Sequence, residues 1–244
     1  MVPAVRPLRQ LLLSPASFFE ERPPAETLSI AIAIVVVFAI AVTVSIAILG
    51  ILLAGAVDAT VTMDNPDRPP EPICAQHADD PDSMFGDRCD EPETIERDAG
   101  ELVQEAMYDY LWLGIIGPFI MWVLGTVVLF SAGRLAGGSP SLVGAVSLAG
   151  WAALPEFLRL GVGVGGLWFV LSDLTLTDPE QAPAVFEAAM ASIEPVLLVA
   201  SLVTLAWQWA LLSGGLSQDA NLPWGTAGIA VGIPLGIFFV FGVL

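Results

Sequence analysis

From Leu28 to about Val57 the chain runs for thirty residues without a charged side chain. A helix of about 20 apolar residues already crosses the hydrocarbon of a bilayer. This one would measure about 45 Å, so it must tilt or protrude. Four more apolar windows follow: about Leu111–Ala132, with Gly117-Pro118 as a kink; about Leu142–Leu171; about Pro195–Leu216, with Trp207, Gln208 and Trp209 in sequence; and about Thr226–Leu244, with Pro234 inside. In lipid, backbone N–H and C=O groups must be satisfied within the protein. Five such windows therefore predict an all-α, polytopic membrane helix bundle with five transmembrane helices. The chain divides into a lead (1–27), a first transmembrane helix (28–57), an acidic loop (58–110) and a four-helix remainder (111–244).

Charge sets the orientation. All eight basic residues are Arg, against 26 Asp and Glu, for a formal net charge of −18. That balance argues against nucleic acid, and against anionic lipid held by a basic patch, as a partner. The Lys-free, acid-rich composition fits a halophilic archaeal source. Arg6, Arg9 and Arg22 precede the first span, and Arg134 lies between the second and third. Residues 172–194, after the third span, hold no basic residue. The positive-inside rule then puts the N-terminus inside and the C-terminus outside, in a multi-pass cell-membrane protein. Residues 58–110 hold Arg68, Arg88 and Arg97 but sixteen acids, and read as a small extracellular domain. The first apolar run is about twice as long as a secretory h-region and no A-x-A-like site follows, so it reads as a retained signal anchor.

The lead has Leu8, Leu11 and Leu12 on one helical face beside Arg6 and Arg9; Ser14-Pro15 is an N-cap and first-turn proline before Phe18 and Phe19. It reads as a cytoplasmic amphipathic segment on the membrane surface, or else as a frayed tail. In the acidic loop, residues 98–112 form a helical lead into the second span, with Tyr108, Tyr110 and Trp112 at interface depth. Asp178-Pro179-Glu180 opens another helix, running through Ala188 and Met190 along the outer surface.

Chemistry-bearing motifs are few. Cys74 and Cys89 suit a disulfide outside the cell, closing a loop of about 15 residues. Cys74-x-x-His77 with Cys89 offers a rival metal site, but three ligands without a second cluster fall short of zinc's usual four, and no metal is assigned. Gly161, Gly163 and Gly166 match G-x-G-x-x-G formally, without the preceding strand that dinucleotide binding requires. The Gly161-x-x-x-Gly165 spacing instead predicts close helix packing. The single histidine, His77, lies in the hydrophilic loop, so no Ser-His-acid set exists. No catalytic residue and no cofactor follow from the sequence, and the reading is non-enzymatic.

Inside the third window stand Glu156 and Arg159, near its middle and three residues apart, on one helix face and close enough to pair. Ala145, Ala149, Ala152, Gly163 and Gly166 form a small-residue stripe on that face, which turns the pair into the bundle. Gln208 and Thr204 on the fourth span are the polar groups at matching depth. Pro155 frees the carbonyl of Trp151 as an acceptor for Arg159 or a water. The cluster reads as a polar clasp between helices or as a proton- or cation-handling site, and the clasp is favoured.

Four segments carry a family resemblance: LLSPASFFEE in the lead, GGSPSLVGAVSLAGWAALPEFL from Gly137, the tryptophan-bearing fourth span, and GLSQDANLPWGTAGIAVGIPL from Gly215. In order and spacing the chain resembles the Yip-domain family, integral membrane proteins whose eukaryotic members interact with Ypt/Rab GTPases. The resemblance implies a cytoplasmic N-terminus, an outward C-terminus, roles in membrane organisation or trafficking, and no catalysis. The GTPase partner does not carry over to prokaryotic relatives. The long acidic loop departs from the compact family pattern. The function expected is that of a scaffold or organiser contacting the lipid bilayer and other membrane proteins or a second copy of itself. The alternative is a small transporter or channel component using Glu156 and Arg159.

Overall fold

The computed structural model describes residues 9–12, 14–77, 85–172, 174, 176 and 182–243. Arg6, Leu8 and the Asp178-Pro179-Glu180 helix start lie outside these. The elements are α1 (Pro15–Glu21), a 3-10 turn (Pro24–Thr27), α2 (Leu28–Ala56), β1 (Thr60–Asp64), α3 (Glu71–His77), α4 (Gly86–Cys89), β2 (Thr94–Asp98), α5 (Ala99–Tyr108), α6 (Leu111–Leu135), α7 (Leu142–Trp151), α8 (Ala153–Leu171), α9 (Ala182–Ala220) and α10 (Trp224–Val243). Among the described residues, five helical stretches are long and apolar enough to span a membrane. Large apolar side chains such as Val37, Ile40, Val123 and Val199 point outward from them. Helices apolar on every side belong in lipid.

The length of α2 is matched by α5 and α6, which run antiparallel along it. Met107 of α5 packs on Gly50, where an added Cβ would lie 3.1 Å from the Met107 Cβ, and a Cβ added to Gly114 of α6 would lie 2.9 Å from the Thr43 Cα. The far end of the first span is thus sheathed by α5.

Two windows fold differently from the sequence expectation. The third is not one helix: it breaks at Ala152, between α7 and α8. Pro155 has no N–H for the Trp151 carbonyl and its ring crowds that turn, so the axis shifts there. The segment expected to lie along the outer surface is instead the first part of α9, a 39-residue helix that passes through Pro195. One proline in a helix deletes a single backbone bond, and neighbouring groups can absorb that loss.

Close approaches occur at other glycines than those expected. Nothing lies within 4 Å of a Cβ built on Gly161, Gly163 or Gly165. Gly150 instead brings α7 against α2, with the Ala31 carbonyl oxygen 3.0 Å from its Cβ position. Lipid provides no hydrophobic drive between helices, so such approaches supply much of the association energy. Indole bonds add ties: Trp122 Nε1 donates to the Val146 carbonyl at 2.8 Å, and Trp209 Nε1 to Gly228 at 2.8 Å.

The acidic loop holds a two-stranded antiparallel ribbon, Thr60 opposite Asp98 through Asp64 opposite Thr94. Such a ribbon is marginal alone. Arg68 braces it by donating to the Glu91 carbonyl at 2.8 Å and pairing with Glu71 and Glu93 at 3.2 and 3.3 Å. Cys74 and Cys89 are disulfide-bonded, with Cα atoms 5.4 Å apart. Both thiols are thereby removed as metal ligands. A closed loop of this length contributes about 3 kcal/mol in the chain-entropy model. Reduction is expected to make residues 65–93 protease-sensitive while the spans resist. Equal protection with and without reductant would show that the bond does not hold the ribbon.

Candidate functional site

The charged pair of the third span meets Gln208 of the fourth where α7 breaks into α8. Arg159 Nε meets Glu156 Oε2 at 2.8 Å, one turn apart on α8. Gln208 Nε2 crosses from α9 and donates to Glu156 Oε1 at 3.2 Å and to the Ala152 carbonyl at 2.8 Å. The break thus presents a carbonyl to the neighbouring helix. The acceptor is Ala152 and the donor is Gln208, where the sequence pointed to Trp151 and Arg159. Thr204, one turn from Gln208, is buried, and its hydroxyl has no hydrogen-bond partner.

Glu156 is turned inward, its side chain 20% exposed, while that of Arg159 is 57% exposed. The pair follows the break between α7 and α8 by one turn. Thr27 Oγ1, just before α2, shares a hydrogen bond with Ser147 Oγ and accepts one from Trp151 Nε1, both at 2.9 Å. The start of α2 is thus level with the last turn of α7. Glu156 lies five residues further on, about 8 Å along the axis.

A cavity of about 720 Å³ opens beside the cluster, bounded by all five spans. Its walls include Phe38, Met121, Ser201, Gln208, Pro234 and Arg159.

Glu156→Gln preserves shape and keeps an acceptor for Gln208, so its cost should stay within about 1 kcal/mol. Arg159→Leu leaves the carboxylate held by Gln208 alone, and should cost more, about 1–3 kcal/mol. Thermal unfolding in detergent checks the order; a reversed order would mean that Arg159 contributes nothing to holding Glu156.

A second assembly caps the bundle at the end where the lead enters. Phe18 and Phe19 of α1 meet the Trp151 ring edge to face, at 5.3 and 6.1 Å. Gly214 has the Ala16 backbone nitrogen 2.8 Å from its Cβ position, and Gly215 leaves room for Phe19 and Leu148. The apolar face of α1 is buried in the bundle instead of lying on lipid. Ser14 stands at the N-cap with Pro15 in the first turn, as expected, but its side chain makes no capping bond.

Beside it, Ser141 caps α7, accepting from the Gly144 N–H at 2.9 Å. Asp219 of α9 accepts from Ser141 N at 2.9 Å and Ser141 Oγ at 2.8 Å. A Cβ on Gly144 would collide with that carboxylate. The Ser139 N–H donates to the Ala220 carbonyl at 3.0 Å. Asp219, 78 residues from Ser141, carried no local signal of its partner in the sequence.

Among the described residues, no group of three or more His, Cys, Asp and Glu could hold a metal ion. Comparison with curated proteins yields no match, and neither does comparison with solved structures. Comparison with protein families matches the Yip1 domain over residues 9–244, from the lead through the final span. A match over nearly the whole chain, on a five-span helical fold, places this multi-pass membrane protein in the Yip1-domain family.

Proposed function

We propose that this protein is a non-enzymatic scaffold that organises other membrane proteins, or further copies of itself, in a cell membrane. One observation carries the reading. The segments bearing the family resemblance, far apart in sequence, converge on the single cap built by Phe19, Trp151, Gly215, Ser141 and Asp219. What they build together is a packed internal cap, which suits a structural role better than reaction. Arg9, Arg22 and Arg134 belong to the cap end, and the acidic ribbon to the other. This supports a cap inside and a ribbon outside.

Crosslinking in native membranes followed by co-purification is expected to recover a stoichiometric partner or a second copy. In the same membranes, impermeant thiol probes should reach Cys74 and Cys89 after reduction, and should miss a cysteine placed beside Arg134. Labelling beside Arg134 from outside would reverse the orientation.

The cavity beside Glu156 favours the second reading, transport. Ion or proton flux in liposomes that disappears in a folded Glu156→Gln variant, together with purification of the chain alone, would replace the scaffold with a carrier.

A further inference from the structure

The cavity has two unlike walls. Ser201, Thr204 and Gln208 stand on one face of α9 at spacings of three and four, which forms a polar rail about 10 Å long. Glu156 and Arg159 extend it on α8. Opposite, the lining follows α6 from Leu113 to Leu129, about 24 Å of axis, and is completed by apolar side chains such as Phe38 and Phe238. A volume of about 720 Å³ drawn out over that length gives a slot. An apolar lining of that length suits an acyl chain. The volume itself lies within the range of about 300–1,000 Å³ common to small-molecule sites.

The rail also specifies the head group. Glu156 and Arg159 pair with one another, so the wall carries no net charge. A charged head would enter this depth uncompensated. Hydrogen-bonding capacity remains open: Gln208 uses only its Nε2 and Arg159 only its Nε.

We propose that this slot binds an uncharged glyceride-type lipid drawn from the bilayer. The hydroxyl and ester oxygens lie on the Ser201–Gln208 rail and one acyl chain lies along α6. This site is separate from the cap on which the scaffold reading rests, so either can fail without the other.

The test uses the full-length protein in nanodiscs with three photoreactive probes that share one diazirine-bearing chain: a monoacylglycerol, the free fatty acid and an alkyl trimethylammonium. The monoacylglycerol is expected to label α6 and α10 peptides saturably. It should exceed both charged probes by at least about ten-fold. Ser201→Ala should weaken its labelling about five-fold, the effect of one lost hydrogen bond. Gly117 lines the slot and has nothing within 4 Å of its Cβ position, so Gly117→Phe should fill the slot and abolish labelling at an unchanged melting temperature. Should Gly117→Phe unfold the protein, competition by unlabelled monoacylglycerol on the wild type replaces it. Labelling that ignores head charge, persists through Gly117→Phe or resists competition would overturn the proposal. So would preference for either charged probe.

Discussion

Phe19→Ala is expected to destabilise the bundle by about 3–5 kcal/mol, within the range for truncating a buried aromatic. The ring is 1% exposed and packs on Trp151 and on the space left by Gly215. Truncation empties a site that cannot collapse easily, because Gly214 already lets α1 touch α9 through backbone atoms. The lead should then undock before the spans separate. Limited proteolysis would cut near Arg22 in the variant and not in the wild type, alongside a lower melting temperature. Wild-type-like protection would mean that α1 is held by something other than its phenylalanines.

Gly144→Ala should be nearly as costly despite adding a single methyl group. The new Cβ occupies the space of the Asp219 carboxylate, so Asp219 must leave Ser141 and surrender two hydrogen bonds to a charged acceptor. Bonds of that kind contribute about 1.5–3 kcal/mol each, and Asp219 is only half-buried, so a total near 2–3 kcal/mol is expected. Asp219→Ala should cost about as much. The double variant should cost little more than either single one, since both remove the same interaction. Additive losses in that cycle would refute the steric link between Gly144 and the carboxylate.

Much of the architecture was legible because lipid imposes it. The uncharged run from Leu28 became α2 to within a residue of the expected end, Ala182–Ala220 contains the fourth window, and Trp224–Val243 covers the described residues of the fifth. What escaped depends on partners distant in sequence. The alternating Thr60–Asp64 and Thr94–Asp98 segments carry a period of two, yet each is five residues long and only the far strand reveals the pairing. Gly161, Gly163 and Gly165 looked like a packing motif because spacing alone cannot say which face meets a neighbour, whereas Gly166 does meet Ile193 of α9, 3.4 Å from its Cβ position. Gly150, in a less regular setting, is the one that meets Ala31. The sequence did identify Glu156, Arg159, Gln208 and Thr204 as residues at similar depth, and the structure joins the first three. The Thr204 hydroxyl stays outside that hydrogen-bonded set, because hydrogen-bond direction depends on rotamer and not on register.

The 39 residues of α9 make a rod about 58 Å long, nearly twice the hydrocarbon thickness of a bilayer. One tip holds Asp219 in the cap; the other extends to the ribbon's side of the protein. Pro195 sits 13 residues from the far tip, where one missing backbone bond makes the rod easiest to flex. Mechanically this is a lever with a soft joint near one tip. Small deflections of the short arm are taken up at Pro195. A tilt of the long arm by about 5° would carry its tip by only about 3 Å over some 39 Å of helix. That displacement is comparable to the length of the Asp219–Ser141 bonds, so the grip at the cap would register a tilt of the long arm while the joint at Pro195 shields it from the short one.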